Sequence, residues 1–160
     1  GTPDVADYLT VPEAAHSYTR TTWSGKTINV RTRDLLRLAQ AWAGVTITLS
    51  QGSYNRGGVA ASAGTHDGGG VVDISVNALS SSARSRLVLA LRKAGFAAWL
   101  RTPAEGFSYH IHACAIGDRE IASGAARQVQ SYFNGRNGLA NNAADPFERR
   151  WPNWADKYNQ

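Results

Sequence analysis

The sequence predicts an α+β fold in a single domain over residues 1–160, with a central antiparallel sheet and helices packed on one side of it. Three observations lead to this prediction. The chain has the length of one domain with one hydrophobic core. Segments with the apolar spacing of helices alternate along the chain with short segments that have strand patterns. No internal repeat divides the sequence into smaller units.

The predicted helices carry start and stop signals. Thr32 can cap the first helix, the serines at 80–82 can cap the second, and glycines supply the stops. The helices are predicted at residues 33–43, 83–94 and 120–133, with ends at Gly44, Gly95 and Asn134-Gly135.

Four segments are predicted as strands, at residues 45–49, 71–76, 96–101 and 109–116. The second is a β-branched run, which is typical of a buried strand, yet it has Asp73 in its middle. A buried carboxylate without a partner is costly, so Asp73 is expected to face a cation or a set of hydrogen-bond donors. In the fourth strand His110 and His112 stand two positions apart, so both imidazoles are expected on one face.

Two segments are predicted to lack regular structure. The polar, glycine-rich stretch at residues 51–70 has too little charge for a disordered linker and is expected to be an ordered loop. The tail at residues 135–160 is expected to be irregular and to be held on the body by Phe147, Trp151 and Trp154.

Composition and charge exclude some classes of protein and favour others. No run of about eighteen apolar residues is present, so a chain without a transmembrane segment is predicted. The net charge of +5 and the pI near 9.7 favour an anionic partner, such as a polymer of the bacterial cell wall. Nucleic-acid binding is not expected, because the basic residues are dispersed and form no run of about five to eight. Cys114 is the only cysteine, so no internal disulfide can form.

The histidines are concentrated in two short segments. His66 and Asp73 stand seven positions apart, His110-Ile111-His112 follows, and three of the four histidines lie in these segments. A catalytic zinc ion takes three protein ligands from imidazole and carboxylate groups and leaves a fourth position open. His66, Asp73 and one histidine of the later pair supply such a set, which predicts a metal site divided between two segments.

These motifs resemble those of the zinc D-Ala-D-Ala peptidases, a superfamily that includes bacteriophage L-alanyl-D-glutamate endolysins and the hedgehog signalling domain. The sequence SAGTHDGGGVVDI at residues 62–74 resembles the His-x6-Asp segment of the family, and His110-Ile111-His112 resembles its terminal His-x-His. Residues 50–54 are similar to the turn that precedes the first ligand. The resemblance covers about residues 45–117.

The resemblance implies a role for each of these residues. His66, Asp73 and His112 would bind one zinc ion, and His110 would lie beside the attacking water as its general base. Gln51 is a candidate for holding the substrate carbonyl or the developing oxyanion.

Two positions depart from the family pattern. Many members have a glutamate three residues before the last ligand, where it acts as the general base, and this chain has Tyr109 there. His110 or Glu105 must then serve as the base, and His110 is preferred because it needs no movement. An upstream arginine often binds the substrate carboxylate or carbonyl, and the nearest candidates here are Gln51 and Arg56.

Four further residues have competing interpretations. Tyr54 and Tyr109 are candidates either for lining a substrate cleft or for filling the core. Trp99 and the small thiol of Cys114 are expected in the core.

The function implied is that of a zinc metallopeptidase that cleaves peptide bonds in peptidoglycan stem peptides, as a D,D-carboxypeptidase or as an endopeptidase of the endolysin type. Such a hydrolase is expected to be monomeric, and to be secreted, located in the cell wall or encoded by a phage. The start at Gly1 to Pro3 is typical of a trimmed chain, after removal of a signal peptide or as one domain of a longer protein. Two alternatives stay open: a non-catalytic zinc-bearing binding domain, and a cell-wall-binding module of a larger hydrolase.

Overall fold

Short strands pair in two antiparallel groups within residues 5–160, which are the residues that the structure, a computed structural model, describes. The expectation about Gly1 to Pro3 therefore lies outside the described residues. The strands are β1 (Arg20–Trp23), β2 (Lys26–Asn29), β3 (Thr48–Gln51), β4 (Val71–Ser75), β5 (Phe96–Arg101) and β6 (His110–Ala115). The first two form a separate hairpin, and the other four form one antiparallel sheet in the order β3-β4-β6-β5. Together with the helices, this sheet confirms the predicted α+β class.

Three α-helices accompany the sheet among the described residues: α1 (Val30–Ala43), α2 (Ser81–Ala94) and α3 (Ser123–Phe133). The predicted stops are confirmed, since Gly44 and Gly95 cap the ends of α1 and α2. The prediction that Thr32 caps α1 is wrong. The cap is Asn29, whose side chain accepts a hydrogen bond of 2.8 Å from the backbone amide of Thr32. Ser80 caps α2 as predicted.

The hairpin of β1 and β2 has no counterpart in the predicted elements. Its turn consists of Ser24 and Gly25, which have φ angles of 53° and 73°. Positive φ at both central residues matches the twist of a two-residue hairpin. The first predicted strand is also displaced, because pairing with β4 extends β3 as far as Gln51, opposite Asp73.

Helices cover both faces of the four-stranded sheet, which corrects the prediction of helices on one side. Helices α1 and α2 pack on the face that includes Val72 and Ile111. Helix α3 packs on the opposite face, against Val71 and Trp99. Successive residues of a strand point to opposite faces, so Asp73 shares its face with α3. The predicted metal ligand therefore lies between the sheet and a helix.

The tail after α3 packs on the body as predicted. Phe147 and Trp154 contact the core cluster of α1 and α2, and Trp151 contacts that of α3. Asp145 accepts a hydrogen bond of 2.8 Å from the buried Arg92 of α2. Within residues 5–160 no helix combines the length and the apolar character that crossing a membrane requires.

Candidate metal centre

The predicted ligands come from three places along the chain and meet on one face of the sheet. Asp73 lies at the middle of β4, and its cross-strand partner on β6 is His112. His66 lies in the loop that leads into β4. One potential ligand atom from each of these residues lies within 4.8 Å of the others. The three residues can therefore hold a metal ion.

The glycine-rich loop is ordered, as predicted, and it fixes the position of His66. The backbone carbonyl of His66 accepts a hydrogen bond from the Asn55 amide at 2.8 Å. Gly70 has a φ angle of 82°, and a Cβ atom there would lie 2.8 Å from the Cβ atom of Asp118. Glycine is thus required for both conformation and space. The loop can approach the sheet only because this position has no side chain.

Each imidazole of the site is oriented by a hydrogen bond on its outer nitrogen. His66 Nδ1 lies 2.9 Å from the carbonyl oxygen of Gly52, which can only accept, so Nδ1 carries the proton. His112 Nε2 lies 2.8 Å from Gln128 Oε1. The Gln128 amide nitrogen donates to the carbonyl of Gly138 at 3.3 Å, which identifies Oε1 as the acceptor for His112. With a cation beside Asp73, these contacts leave the lone pairs of His66 Nε2 and His112 Nδ1 to face it, and without a cation His112 Nδ1 can donate to Asp73 Oδ1 at 2.9 Å.

Those two lone pairs face the same carboxylate oxygen. His66 Nε2 lies 3.2 Å from Asp73 Oδ1, and His112 Nδ1 lies 2.9 Å from it. His66 Nε2 is buried and has no hydrogen-bond partner among the described residues. Three electron-pair donors at this separation repel one another unless imidazole protons or a cation lie between them, and atoms about 2.1 Å from one tetrahedral zinc ion lie about 3.4 Å apart. The donor set therefore fits a metal ion.

The protonation states of the site agree with metal binding. Burial raises the pKa of Asp73, but the His112 and His66 imidazoles outweigh it and hold the pKa well below its ordinary range. Burial lowers the pKa of His112 more than Asp73 raises it. The ionised carboxylate of Asp73 and the neutral imidazole of His112 are in the states that a metal requires. Burial raises the pKa of Cys114, so this thiol stays protonated 3.5 Å from His112 Nε2.

His110 lies next to the three-residue group without belonging to it. Its Nε2 atom is 3.9 Å from Asp73 Oδ2. Its Nδ1 atom lies 2.9 Å from the carbonyl oxygen of Ser108, so Nδ1 donates and Nε2 has a free lone pair. Residues two apart on β6 share a face, which explains why both histidines approach Asp73. His110 thus presents a proton acceptor beside the group.

A cavity of about 350 Å³ opens over this face of the sheet. Asp73 and His112 form part of its lining together with His110, and Asp73 is the one acidic residue in that lining. The opposite wall belongs to the tail, where Leu139 and Ala140 reach the cavity. The remaining lining residues are Val59, Ala61, Ser62, Ala63, Thr65, Arg101, Phe107, Gln128 and Gly138. A small molecule can therefore reach Asp73 and His112.

Other candidate residues lie outside the lining of this cavity. Gln51 is buried, its Oε1 atom accepts a hydrogen bond from Ser62, and it lines a neighbouring pocket together with Arg56. Glu105 is engaged in the capping box of its own turn, with Oε1 3.1 Å from the Thr102 amide. Gln51 nevertheless lies opposite Asp73 in the sheet and shares the neighbouring pocket with His66, and its Nε2 atom is buried without a hydrogen-bond partner among the described residues. Glu105 is held in its own turn.

The two candidate tyrosines also have other partners. Tyr54 donates a hydrogen bond of 2.6 Å to Glu120 and lies beneath the guanidinium of Arg20. Tyr109 is 42% exposed, and Arg84 lies over its ring. Trp99 and Cys114 are buried in the core, as predicted.

Two residues of the site were not predicted. Gln128 orients His112 from α3, and Arg101 lines the cavity from the end of β5. No feature of the sequence marks Gln128 as a site residue, since it is a polar residue on an amphipathic helix far from the motifs in sequence. Arg101 is marked by its position, because it is a charged residue at the end of the otherwise apolar strand FAAWLR.

No family model, no curated protein and no solved structure matches this chain. The function is therefore inferred from the chemistry of the site and from the motifs of the sequence.

Proposed function

We propose that this chain is a zinc-dependent hydrolase that cleaves peptide bonds in the stem peptides of bacterial peptidoglycan. One observation carries the proposal: His66 Nε2 and His112 Nδ1 converge on Asp73 Oδ1, and Asp73 and His112 line an open cavity. Two imidazoles and a carboxylate are a donor set that zinc takes at catalytic centres, where a further position stays open.

The substrate class is supported by the motifs and by charge. The His-x6-Asp and His-x-His segments resemble those of peptidases that act on peptidoglycan, and both contribute to the same site. The net charge of +5 would favour contact with anionic cell-wall polymers. The cavity has room for a short peptide, since ligand sites begin at about 300 Å³.

The metal ion and the side chains of the protein would have different roles in the reaction. A zinc ion bound by His66, Asp73 and His112 would supply a Lewis acid that polarises the scissile carbonyl and makes a water nucleophilic near neutral pH. His110 would accept the proton of the attacking water on Nε2 and deliver it to the leaving amine, since Nδ1 faces the carbonyl of Ser108 and Nε2 lies 3.9 Å from Asp73. His110 is preferred to Glu105 as the base, since Glu105 is held by the Thr102 amide.

Elemental analysis combined with digestion of purified muropeptides tests this proposal. His66→Ala should lose both zinc and cleavage, because it removes a ligand. His110→Ala should keep zinc at full stoichiometry while cleavage falls about a hundred- to ten-thousandfold, the usual contribution of a general base. His16→Gln, at the histidine outside both motifs, serves as the control and should keep both.

Two results would contradict these roles. Full activity in His110→Ala would remove His110 from the reaction. Loss of zinc in His110→Ala would make His110 a fourth ligand and the site a closed, structural one.

A second candidate function is a non-catalytic zinc-bearing binding domain. It is favoured by Tyr109, which occupies the position of the usual glutamate, and by the absence of any acid other than Asp73 from the cavity lining in the described chain. Stoichiometric zinc with no turnover of any peptidoglycan fragment would support this candidate and exclude the hydrolase.

A further inference from the structure

The tail supplies three successive backbone carbonyls to side chains around the candidate metal centre. Each carbonyl of residues 136–138 accepts a hydrogen bond from a side chain of β5 or α3. The bonds run from Trp99 Nε1 to Arg136 at 3.0 Å, from Arg101 Nη1 to Asn137 at 2.6 Å and from Gln128 Nε2 to Gly138 at 3.3 Å. Residues 136–138, here called the strap, thus hold side chains of the sheet and of α3 together.

Two of these side chains lie against the candidate ligand His112. Gln128 Oε1 lies 2.8 Å from His112 Nε2. Trp99 is the cross-strand partner of His112, and the two rings are 18° from parallel with 6.3 Å between their centroids. Cross-strand partners have their side chains on the same face of a sheet. The imidazole of His112 is therefore oriented by two groups that are both bonded to the strap.

The strap is itself fixed from its other side. The Asn137 amide donates a hydrogen bond of 2.9 Å to the carbonyl of Ala143, and Arg136 pairs with Ala144 in an antiparallel bridge. The Asn137 side chain is buried, and its oxygen accepts a hydrogen bond of 2.9 Å from the Leu139 amide. The carbonyls of the strap thus have defined positions, which a freely moving tail would not give them.

Gly138 shows how closely the strap approaches the side chains that orient His112. It has a φ angle of 71°, and a Cβ atom there would lie 3.3 Å from a ring atom of Trp99 and 3.4 Å from Cγ of Gln128. These distances are shorter than ordinary van der Waals contacts. An added methyl group would therefore have to displace Trp99 or Gln128.

We propose that the strap is a positioning element of the metal centre, which raises metal affinity through Trp99 and Gln128 and supplies no ligand itself. This inference rests on the metal site of the proposed function and not on its reaction. Groups that orient a ligand imidazole typically contribute about ten- to a hundredfold to metal affinity. Coupling between two sites is reciprocal, so a metal ion that binds better when the strap is docked also holds the strap in place.

Two glycine variants of the tail test the proposal. Gly138→Ala should weaken zinc binding about tenfold or more, as measured by competition with a chelator of known affinity. Gly135→Ala is the matched control, because Gly135 has a φ angle of 77° and a Cβ atom there would lie 3.2 Å from the side chain of Arg149, outside the cavity lining. This variant should keep the wild-type affinity. Equal affinities of the two variants for zinc overturn the proposal.

Hydrogen exchange in the wild-type chain is a second test, which needs no variant to fold. Saturating zinc should slow the exchange of the backbone amides of residues 136–139 about tenfold more than that of the amides in the hairpin of β1 and β2. Equal slowing in the tail and in the hairpin overturns the proposal.

The same measurements separate the strap from the proposed reaction. Both expected effects of zinc, without cleavage of any muropeptide, would refute the hydrolase and support the strap. Zinc binding and cleavage with neither effect would overturn the strap alone. No zinc binding by the wild-type chain would overturn the metal centre and the strap together.

Discussion

At the scale of single residues, Asp73 shows why the ligands could be predicted from sequence. It is a charged residue in an apolar strand, and such a residue must have a partner of opposite charge or several donors. His66 and one histidine of the pair His110 and His112 can supply this partner through a shared cation. The burial cost of Asp73 thus predicted a group of ligands, and the family resemblance selected His112 from the pair.

Gln128 and Arg101 could not be predicted in the same way. Gln128 meets His112 only because α3 packs on the site face, and Arg101 faces the cavity only through its register with β6. Contacts of this kind depend on tertiary structure. Local patterns contain no information about which helix covers which face.

The Gln128 contact leads to a prediction about metal affinity. Gln128→Leu should weaken zinc binding about ten- to a hundredfold, because the substitution removes the acceptor that fixes the proton of His112 on Nε2. Competition with a chelator of known affinity measures the change. Arg127→Gln, on the exposed surface of the same helix, should leave affinity unchanged. Equal affinities in both variants would show that His112 needs no orientation by Gln128.

At the scale of elements, helix ends were predicted better than helix starts. Gly44 and Gly95 stop α1 and α2 because the C-terminal cap depends on one local conformation that glycine adopts freely. The start of α1 depends on Asn29. The side chain of Asn29 also donates a hydrogen bond of 2.9 Å to Asp118, which follows β6. Only Thr32 is near Asn29 in sequence, so the local pattern does not show the contact with Asp118.

The loop before β4 lies close to Asp118 at Gly70, which leads to a prediction about the addition of one methyl group there. Gly70→Ala should lower the free energy of unfolding by about 2 to 3 kcal/mol, since a positive φ and a contact of 2.8 Å with Asp118 both oppose it. It should also weaken metal binding, because the loop positions His66. Chemical denaturation and zinc titration measure the two effects.

Gly25→Ala is the control for backbone strain alone. Gly25 has a φ of 73° in the hairpin turn, and nothing lies within 4 Å of an added Cβ atom. This variant should lose about 1 kcal/mol and bind zinc normally. A similar loss of unfolding free energy in both variants would mean that the loop before β4 shifts to accommodate the added methyl group.

At the scale of the whole molecule, distant segments are joined through Glu13. Its carboxylate accepts hydrogen bonds from Lys157 and Tyr158 at 2.6 Å and from Arg31 at 2.9 Å. Partial burial raises the pKa of Glu13, but these three donors together outweigh it and lower the pKa to about 2. The N-terminal segment, α1 and the tail therefore depend on one ionised group.

A pKa that is lower in the folded state makes the protein sensitive to acid. The contribution of Glu13 should be present above about pH 4.5, its unfolded value, and should be lost as the pH falls toward about 2. Glu13→Gln should therefore cost roughly 3 kcal/mol at neutral pH, and the difference from wild type should shrink over that acid range. Urea denaturation at a series of pH values measures it.

Glu148→Gln provides the comparison, since Glu148 pairs with Arg150 at a half-exposed position where ion pairs contribute little. Its stability should follow the wild type at every pH. A constant deficit of Glu13→Gln from neutral to acid pH would show that lost packing, and not lost charge, causes the destabilisation.

The sequence did not predict helices on both faces of the sheet, because this arrangement depends on how the whole chain packs. The motifs showed which residues meet, but α3 and the tail lie outside the segment of residues 45–117 that carries them. The tail packs Leu139 and Ala140 into the cavity wall, opposite ligands that are fixed on strands and in a glycine-bound loop. Irregular chain accepts insertions and exchanges far more readily than a paired strand does. Evolution can therefore remodel this rim to suit new ligands while His66, Asp73 and His112 beneath it remain undisturbed.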